Sequence, residues 1–153
     1  MQKSSLNVVF GDNNYIGFEF GNLPVGAALL VAAQQIEQAA DQARAAVLGD
    51  PLRAVEYQMA EADAKAFMVA GFDGEVPATV QAVVDASEVT PQAATELILS
   101  ESAAWRGALC EIRAARLMGK QAMLKATTHA EAEGYADTAI DAIRAISKAY
   151  NPA

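Results

Sequence analysis

The sequence predicts a mainly α protein: an alanine-rich helical hairpin or bundle with long helices and a short N-terminal β-hairpin. Three observations carry this. Alanine supplies 35 of the 153 residues, and it combines the best helix propensity with the least surface to bury. From Val25 onward, apolar residues recur at alternating steps of four and three, the spacing of a helical seam. Before Leu23 the pattern changes to two β-rich runs around a cluster of turn residues. Five Phe, four Tyr and one Trp are too few for a β-sandwich core of this size. Alanine-rich helices pack closely but gain little per residue, so they favour long zipped seams or burial completed in an oligomer. The expected organisation is a docking segment over residues 1–22 and an α-helical domain over residues 23–153.

The elements follow in order. Leu6–Phe10 and Tyr15–Phe20 read as strands, with Gly11-Asp12-Asn13-Asn14 as the turn between them. Ile16, Phe18 and Phe20 alternate with Tyr15, Gly17 and Glu19 and are expected on one face. An isolated hairpin is marginal in water, so that face needs a partner surface. Pro24 suits the first turn of a helix and Gly49 its end. The seam between them is Val25, Leu29, Ala32, Ile36, Ala39, Ala43 and Ala46. Asp50-Pro51 restarts the chain as an N-cap with proline at the first helical position. Leu52, Val55, Met59, Ala62, Ala66 and Val69 repeat the seam, and Gly71 stops it. The short link at Leu48–Pro51 favours an antiparallel helical hairpin.

A loop over residues 71–77 leads into a short helix over Pro77–Ser87, with Val80, Val83 and Val84 inward. Thr90-Pro91 caps a helix that runs to about Ala126 unless it breaks near Ser100–Ser102. Its seam is Ile98, Ser102, Trp105, Leu109, Ile112, Arg116, Gly119 and Met123. Thr128-His129-Ala130-Glu131 is a capping box for the last helix. Ala132, Ala136, Ala139, Ile143, Ile146 and Tyr150 form its seam, and Asn151-Pro152 ends it.

The formal charge of −8 argues against non-specific nucleic-acid binding, which needs a basic footprint. The single cysteine, Cys110, excludes an intrachain disulfide framework and a cysteine-based zinc cluster. It fits synthesis in a reducing compartment and reads as a small buried hydrophobe. No charged-then-apolar stretch opens the sequence, so no secretory leader is expected. The most apolar run, Leu23–Ala33, is too short to span a membrane, so no membrane insertion is expected.

Residues 105–125 carry Arg106, Arg113, Arg116, Lys120 and Lys125 against Glu111 alone, for a charge of +4. The remainder of the chain therefore sums to −12. Trp105 with Arg106 and Arg113 could hold a flat or anionic ligand, but a core tryptophan flanked by solvated arginines is the favoured reading. Arg113, Arg116 and Lys120 share one helical stripe. They are expected to answer Glu56, Glu61 and Asp63, or Glu96 and Glu101. The competing use is contact with an acidic partner chain.

His129 is the only histidine and reads as a surface residue, because a metal site needs further nitrogen or sulfur ligands nearby. Asp41, Glu56, Glu61, Asp63, Asp85 and Glu88 are scattered and lack the Glu-x-x-His pairs of a di-metal bundle. No phosphate loop, dinucleotide fingerprint or triad context is present. The residues therefore point to a protein that is not an enzyme and has no cofactor.

Four stretches resemble a helical region of tail proteins from tailed bacteriophages and prophages, particularly those of Pseudomonas-type hosts. They are Glu56–Ala62; Phe67–Gly71 with Val76-Pro77; Val80–Ala82 with Asp85–Ser87 and Thr90–Ala94; and Ala103–Arg106 with Ile112-Arg113 and Arg116–Lys120. Together they fall within just under half of the chain. The resemblance implies a virion tail component, made in the host cytoplasm and associated with the tail fibre or baseplate. It also implies a homo-oligomer of three copies, because phage fibres are trimeric. Ile16, Phe18 and Phe20 are the expected docking residues, and Trp105, Arg113 and Arg116 a second partner contact. A tail-fibre assembly chaperone and a small helical effector that binds a host protein are the alternative roles.

Overall fold

A computed structural model describes residues 1–50 and 52–150. In chain order these form β1 (Leu6–Phe10), β2 (Asn13–Phe18), a 3-10 turn (Phe20–Asn22), α1 (Val25–Leu48), α2 (Arg53–Val69), α3 (Ala78–Ser87), α4 (Pro91–Met123) and α5 (His129–Ala149). The expected mainly α architecture with an N-terminal β-hairpin is what the chain adopts. Two compact units divide it. One comprises Met1–Ala46 with Leu109–Ala153, and the other Val47–Ala108. The hairpin segment 1–22 lies within the first.

In the first unit, β1 and β2 pair antiparallel with Phe10 opposite Asn13, Val9 opposite Asn14 and Val8 opposite Tyr15. The turn is therefore two residues, Gly11-Asp12, and not the four expected. Gly11 has φ +60° at the first central position, where a II′ hairpin turn requires it. Leu6 then faces Phe18, so β2 carries one extra residue between Tyr15 and Phe18. Gly17, with φ +73°, supplies the bulge, and its N–H donates to the Asn7 side-chain oxygen at 2.9 Å. This slip breaks the expected alternation of Ile16, Phe18 and Phe20. Phe20 leaves the strand for the 3-10 turn, where its N–H donates to the Lys3 carbonyl at 2.8 Å. It is buried, as are Leu6, Val8 and Leu23.

Helix α1 buries Ala32, Ile36, Ala39 and Ala43 as its seam predicts, while Val25 and Ala46 at the seam's ends are exposed. Ala27, Ala28 and Val31 fill the first turns instead. A 3.6-residue helix drifts from a strict seven-residue repeat, which moves the buried stripe at its ends. The α5 seam holds at Ala132, Ala136, Ala139 and Ile143. Thr128 caps α5 with the full reciprocal box to Glu131. The backbone N–H of Thr127, first among its donors, holds the Glu131 carboxyl below its ordinary range.

In the second unit, Ala64, Phe67, Val80, Ala94 and Ile98 form one core. Helix α2 ends in a Schellman motif: the Phe72 N–H donates to the Phe67 carbonyl and the Gly71 N–H to that of Met68, each at 3.0 Å. Gly71 and Phe72 both have positive φ, and the Phe67 and Phe72 rings meet edge-on at 5.6 Å. Helix α4 is capped by the Thr90 hydroxyl, which accepts from the Ala93 N–H, and it runs unbroken through Ser100 and Ser102. Asp50 accepts from the Leu52 N–H at 2.8 Å ahead of α2. The expected roles of Pro51 and of Asn151-Pro152 fall outside the described residues.

The seam expected on α2 is overturned. Leu52, Val55, Met59, Ala62, Ala66 and Val69 are all exposed. The helix buries Glu61, Ala64 and Phe67 instead. Aromatic side chains bury the most area, so Phe67, packed edge-on to Phe72, and Tyr57, stacked on Trp105, decide which face turns inward.

Candidate interaction surface

The predicted docking residues do not form one face. Ile16 is 69% exposed and Phe18 is exposed beside it, whereas Phe20 is only 3% exposed. The Phe20 ring sits edge-on to the His129 ring at 5.8 Å. His129 Nε2 lies 2.8 Å from the Leu23 carbonyl oxygen. His129 is therefore half-buried and ties the start of α5 to the chain ahead of α1, and is not the free surface histidine expected. Val9 and Phe10 of β1 are exposed with Ile16 and Phe18.

Trp105 is 5% exposed. Its ring stacks on Tyr57 of α2, with centroids 6.0 Å apart and 28° between planes. The Arg106 guanidinium carbon lies 5.5 Å from the ring centre, in cation–π range. Arg106 also pairs with the buried Glu61 at 2.5 Å, and Lys65 donates to the other Glu61 oxygen at the same distance. Lys65 first, then Arg106, holds the Glu61 carboxyl below its ordinary range against the opposing effect of burial. Trp105 is thus a packing residue, the favoured reading of the two, and its exposed surface is too small to serve as a partner contact.

The basic stripe divides. One guanidinium nitrogen of Arg116 donates to both carboxylate oxygens of Glu37 of α1, each at 2.9 Å, and Lys120 donates to the same carboxylate at 2.6 Å. The hydrogen bond from Lys120 leads in drawing the Glu37 pKa down, and Arg116 adds to it. Glu37 was not among the expected acids. It lies 79 residues away from Arg116, and nothing local in the sequence announces the pairing. Arg113, by contrast, is exposed and makes no ion pair among the described residues. Cys110 is exposed, not buried as expected, because it stands one step off the α4 seam.

The surface that sequence reasoning missed is the outward stripe of α2. Leu52, Val55, Met59 and Val69 are exposed by 54% or more, with Val69 at 84%. In heptad terms Leu52, Met59 and Ala66 take the first core position and Val55, Ala62 and Val69 the second. Gln58 and Lys65 flank one side, and Glu56 and Asp63 the other. The heptad was legible; its orientation was not.

No family model matches the chain, and no curated protein or solved structure matches it. Among the described residues, no group of three or more His, Cys, Asp or Glu side chains is placed to hold a metal ion, and no helix is long and apolar enough to cross a membrane.

Proposed function

We propose that this chain is a non-enzymatic structural protein of a phage tail, associated with the fibre or baseplate and acting through protein–protein contacts. The observation that carries the contact role is the outward heptad of α2. An exposed apolar seam with polar flanks is what a helix presents to another helix. The hairpin adds a second contact: Ile16 and Phe18 stand exposed on a two-stranded sheet whose strands are both edges. An edge strand accepts a partner's strand by backbone hydrogen bonding, and apolar side chains beside it set specificity. The phage-tail setting rests on the resemblance of the four stretches between Glu56 and Lys120. Self-association is part of the reading, with three copies as the number a fibre partner implies.

The test is the protein's abundance in purified phage particles, measured by quantitative mass spectrometry. Stoichiometric presence with fibre or baseplate proteins is expected. Absence from particles that nonetheless need it for infectivity would make it an assembly chaperone. One strong partner captured from uninfected host lysate, without fibre co-purification, would make it an effector.

A further inference from the structure

The first unit carries a shallow apolar groove of about 200 Å³ between α4 and α5. Ala115, Gly119 and Ala122 form its α4 wall, and Thr138, Ala139 and Ala142 its α5 wall. Met118 stands at its rim, 69% exposed, although it is a large apolar side chain. Seven residues before Met118 is Glu111, and seven after it, in the turn that closes the helix, is Lys125. A seven-residue step returns to the same helix face within about 20°. Glu111 and Met118 therefore share one face of α4, and Lys125 follows in the turn two residues past the last helical residue, Met123. Both charges are exposed, and neither makes an ion pair among the described residues.

This pattern is its own complement. Two α4 helices laid antiparallel and crossing at Met118 place Glu111 of each copy opposite Lys125 of the other. Between the crossing and the charges, Ala114 and Ala122 face their counterparts. Alanine contacts let helix axes approach toward the short end of the usual 8–10 Å range, and each Met118 then lies over the partner's α4–α5 groove. Methionine suits such a shallow, irregular seat. A parallel arrangement has no such match, because it sets Glu111 against Glu111 and Lys125 against Lys125.

We propose that this face is a two-fold contact between two copies of the chain, centred on Met118 and keyed by reciprocal Glu111–Lys125 pairs. The inference rests on the self-associating reading above and gives it one specific surface. It pairs chains here whatever number meets elsewhere.

The test uses the full chain and sedimentation equilibrium. Glu111→Lys and Lys125→Glu should each weaken self-association about tenfold, since each converts two favourable surface pairs into two repulsive ones. The double variant Glu111→Lys/Lys125→Glu should restore it, because only a reciprocal contact is rebuilt by exchanging the charges. Circular dichroism should be unchanged in all three. A Met118→Cys/Cys110→Ser variant should form a symmetric disulfide-linked dimer under mild oxidation. A wild-type chain that associates while the single reversals have no effect, or a double variant no better than the singles, overturns this contact and leaves self-association standing. A wild-type chain that stays monomeric at every concentration overturns both.

Discussion

Gly119 of α4 lies so close to Ala139 of α5 that a Cβ built on the glycine would fall 2.5 Å from the alanine Cβ. Ile36 of α1 approaches the same point at 3.3 Å. Three helices therefore converge where one side chain is missing. Gly119→Ala is expected to destabilise the protein by about 1–3 kcal/mol through overpacking, despite alanine's better helix propensity. Gly134→Ala in α5, where nothing lies within 4 Å, is the control. It should stabilise by about 0.4–1 kcal/mol. Paired urea titrations of the two variants read both signs.

Glu37 predicts a pH response. Its folded-state pKa is depressed by Lys120 and Arg116. Its contribution is therefore fully present above the ordinary glutamate value of about 4.3 and is lost as pH falls through the depressed folded value. Glu37→Gln should remove this component, lowering stability at pH 7 by about 1 kcal/mol and flattening the acid limb of the stability curve. Denaturant midpoints measured from pH 7 down to pH 3 on both proteins check this. Parallel limbs would exclude the pairing.

Trp105 is the sole tryptophan, so fluorescence reports on the second unit alone. Its emission should be blue-shifted and resistant to acrylamide quenching in the native state. Trp105→Ala should cost about 3 kcal/mol or more as a buried aromatic lost. Tyr57→Ala should red-shift the emission by opening the stacked face to water. An emission maximum already at the solvent-exposed limit would contradict the burial.

The hairpin separates stability from binding. Phe20→Ser should destabilise the fold by about 3–5 kcal/mol, because Phe20 packs against His129 in the interior. Ile16→Ser and Phe18→Ser should shift stability by less than about 1 kcal/mol, since both are already exposed. The exposed pair should nonetheless reduce co-purification with tail proteins. Thermal melts and pull-downs on the same variants distinguish the two roles. Retention of partner by the Ile16/Phe18 double variant would remove the hairpin from the contact.

Much of this fold is legible in the sequence. Helix boundaries were marked by Pro24, Gly49, Gly71, Thr90 and the Thr128–Glu131 box, because capping chemistry is local. The α4 seam was correct as far as Arg116 and Gly119, two residues that look like interruptions and instead serve as an ion-pair anchor and a close-contact point. What failed was orientation. Helix α2 carries an aliphatic stripe and, opposite it, a stripe with Tyr57, Glu61, Ala64 and Phe67. Counting apolar residues favours the first; the buried carboxylate of Glu61 disguises the second. Its partners, Arg106 and Lys65, make that carboxylate tolerable inside, and Arg106 lies 45 positions away in the chain. The hairpin error had a similar origin, since one bulged glycine shifts every later side chain to the other face.

The two units differ in how the chain supplies them. The second is one uninterrupted stretch, whereas the first joins the two ends of the sequence. On the ribosome, the second is complete once Ala108 has emerged. The strands and α1 must wait until α5 has been made, roughly 100 residues after α1, or about 5–20 s at usual elongation rates. For that interval the apolar face of α1, with Ile36 at its centre, lacks the Gly119–Ala139 meeting point that Ile36 approaches in the folded chain. The chain's division thus lets folding proceed from the middle outward, with translation speed setting how long α1 waits for its partners.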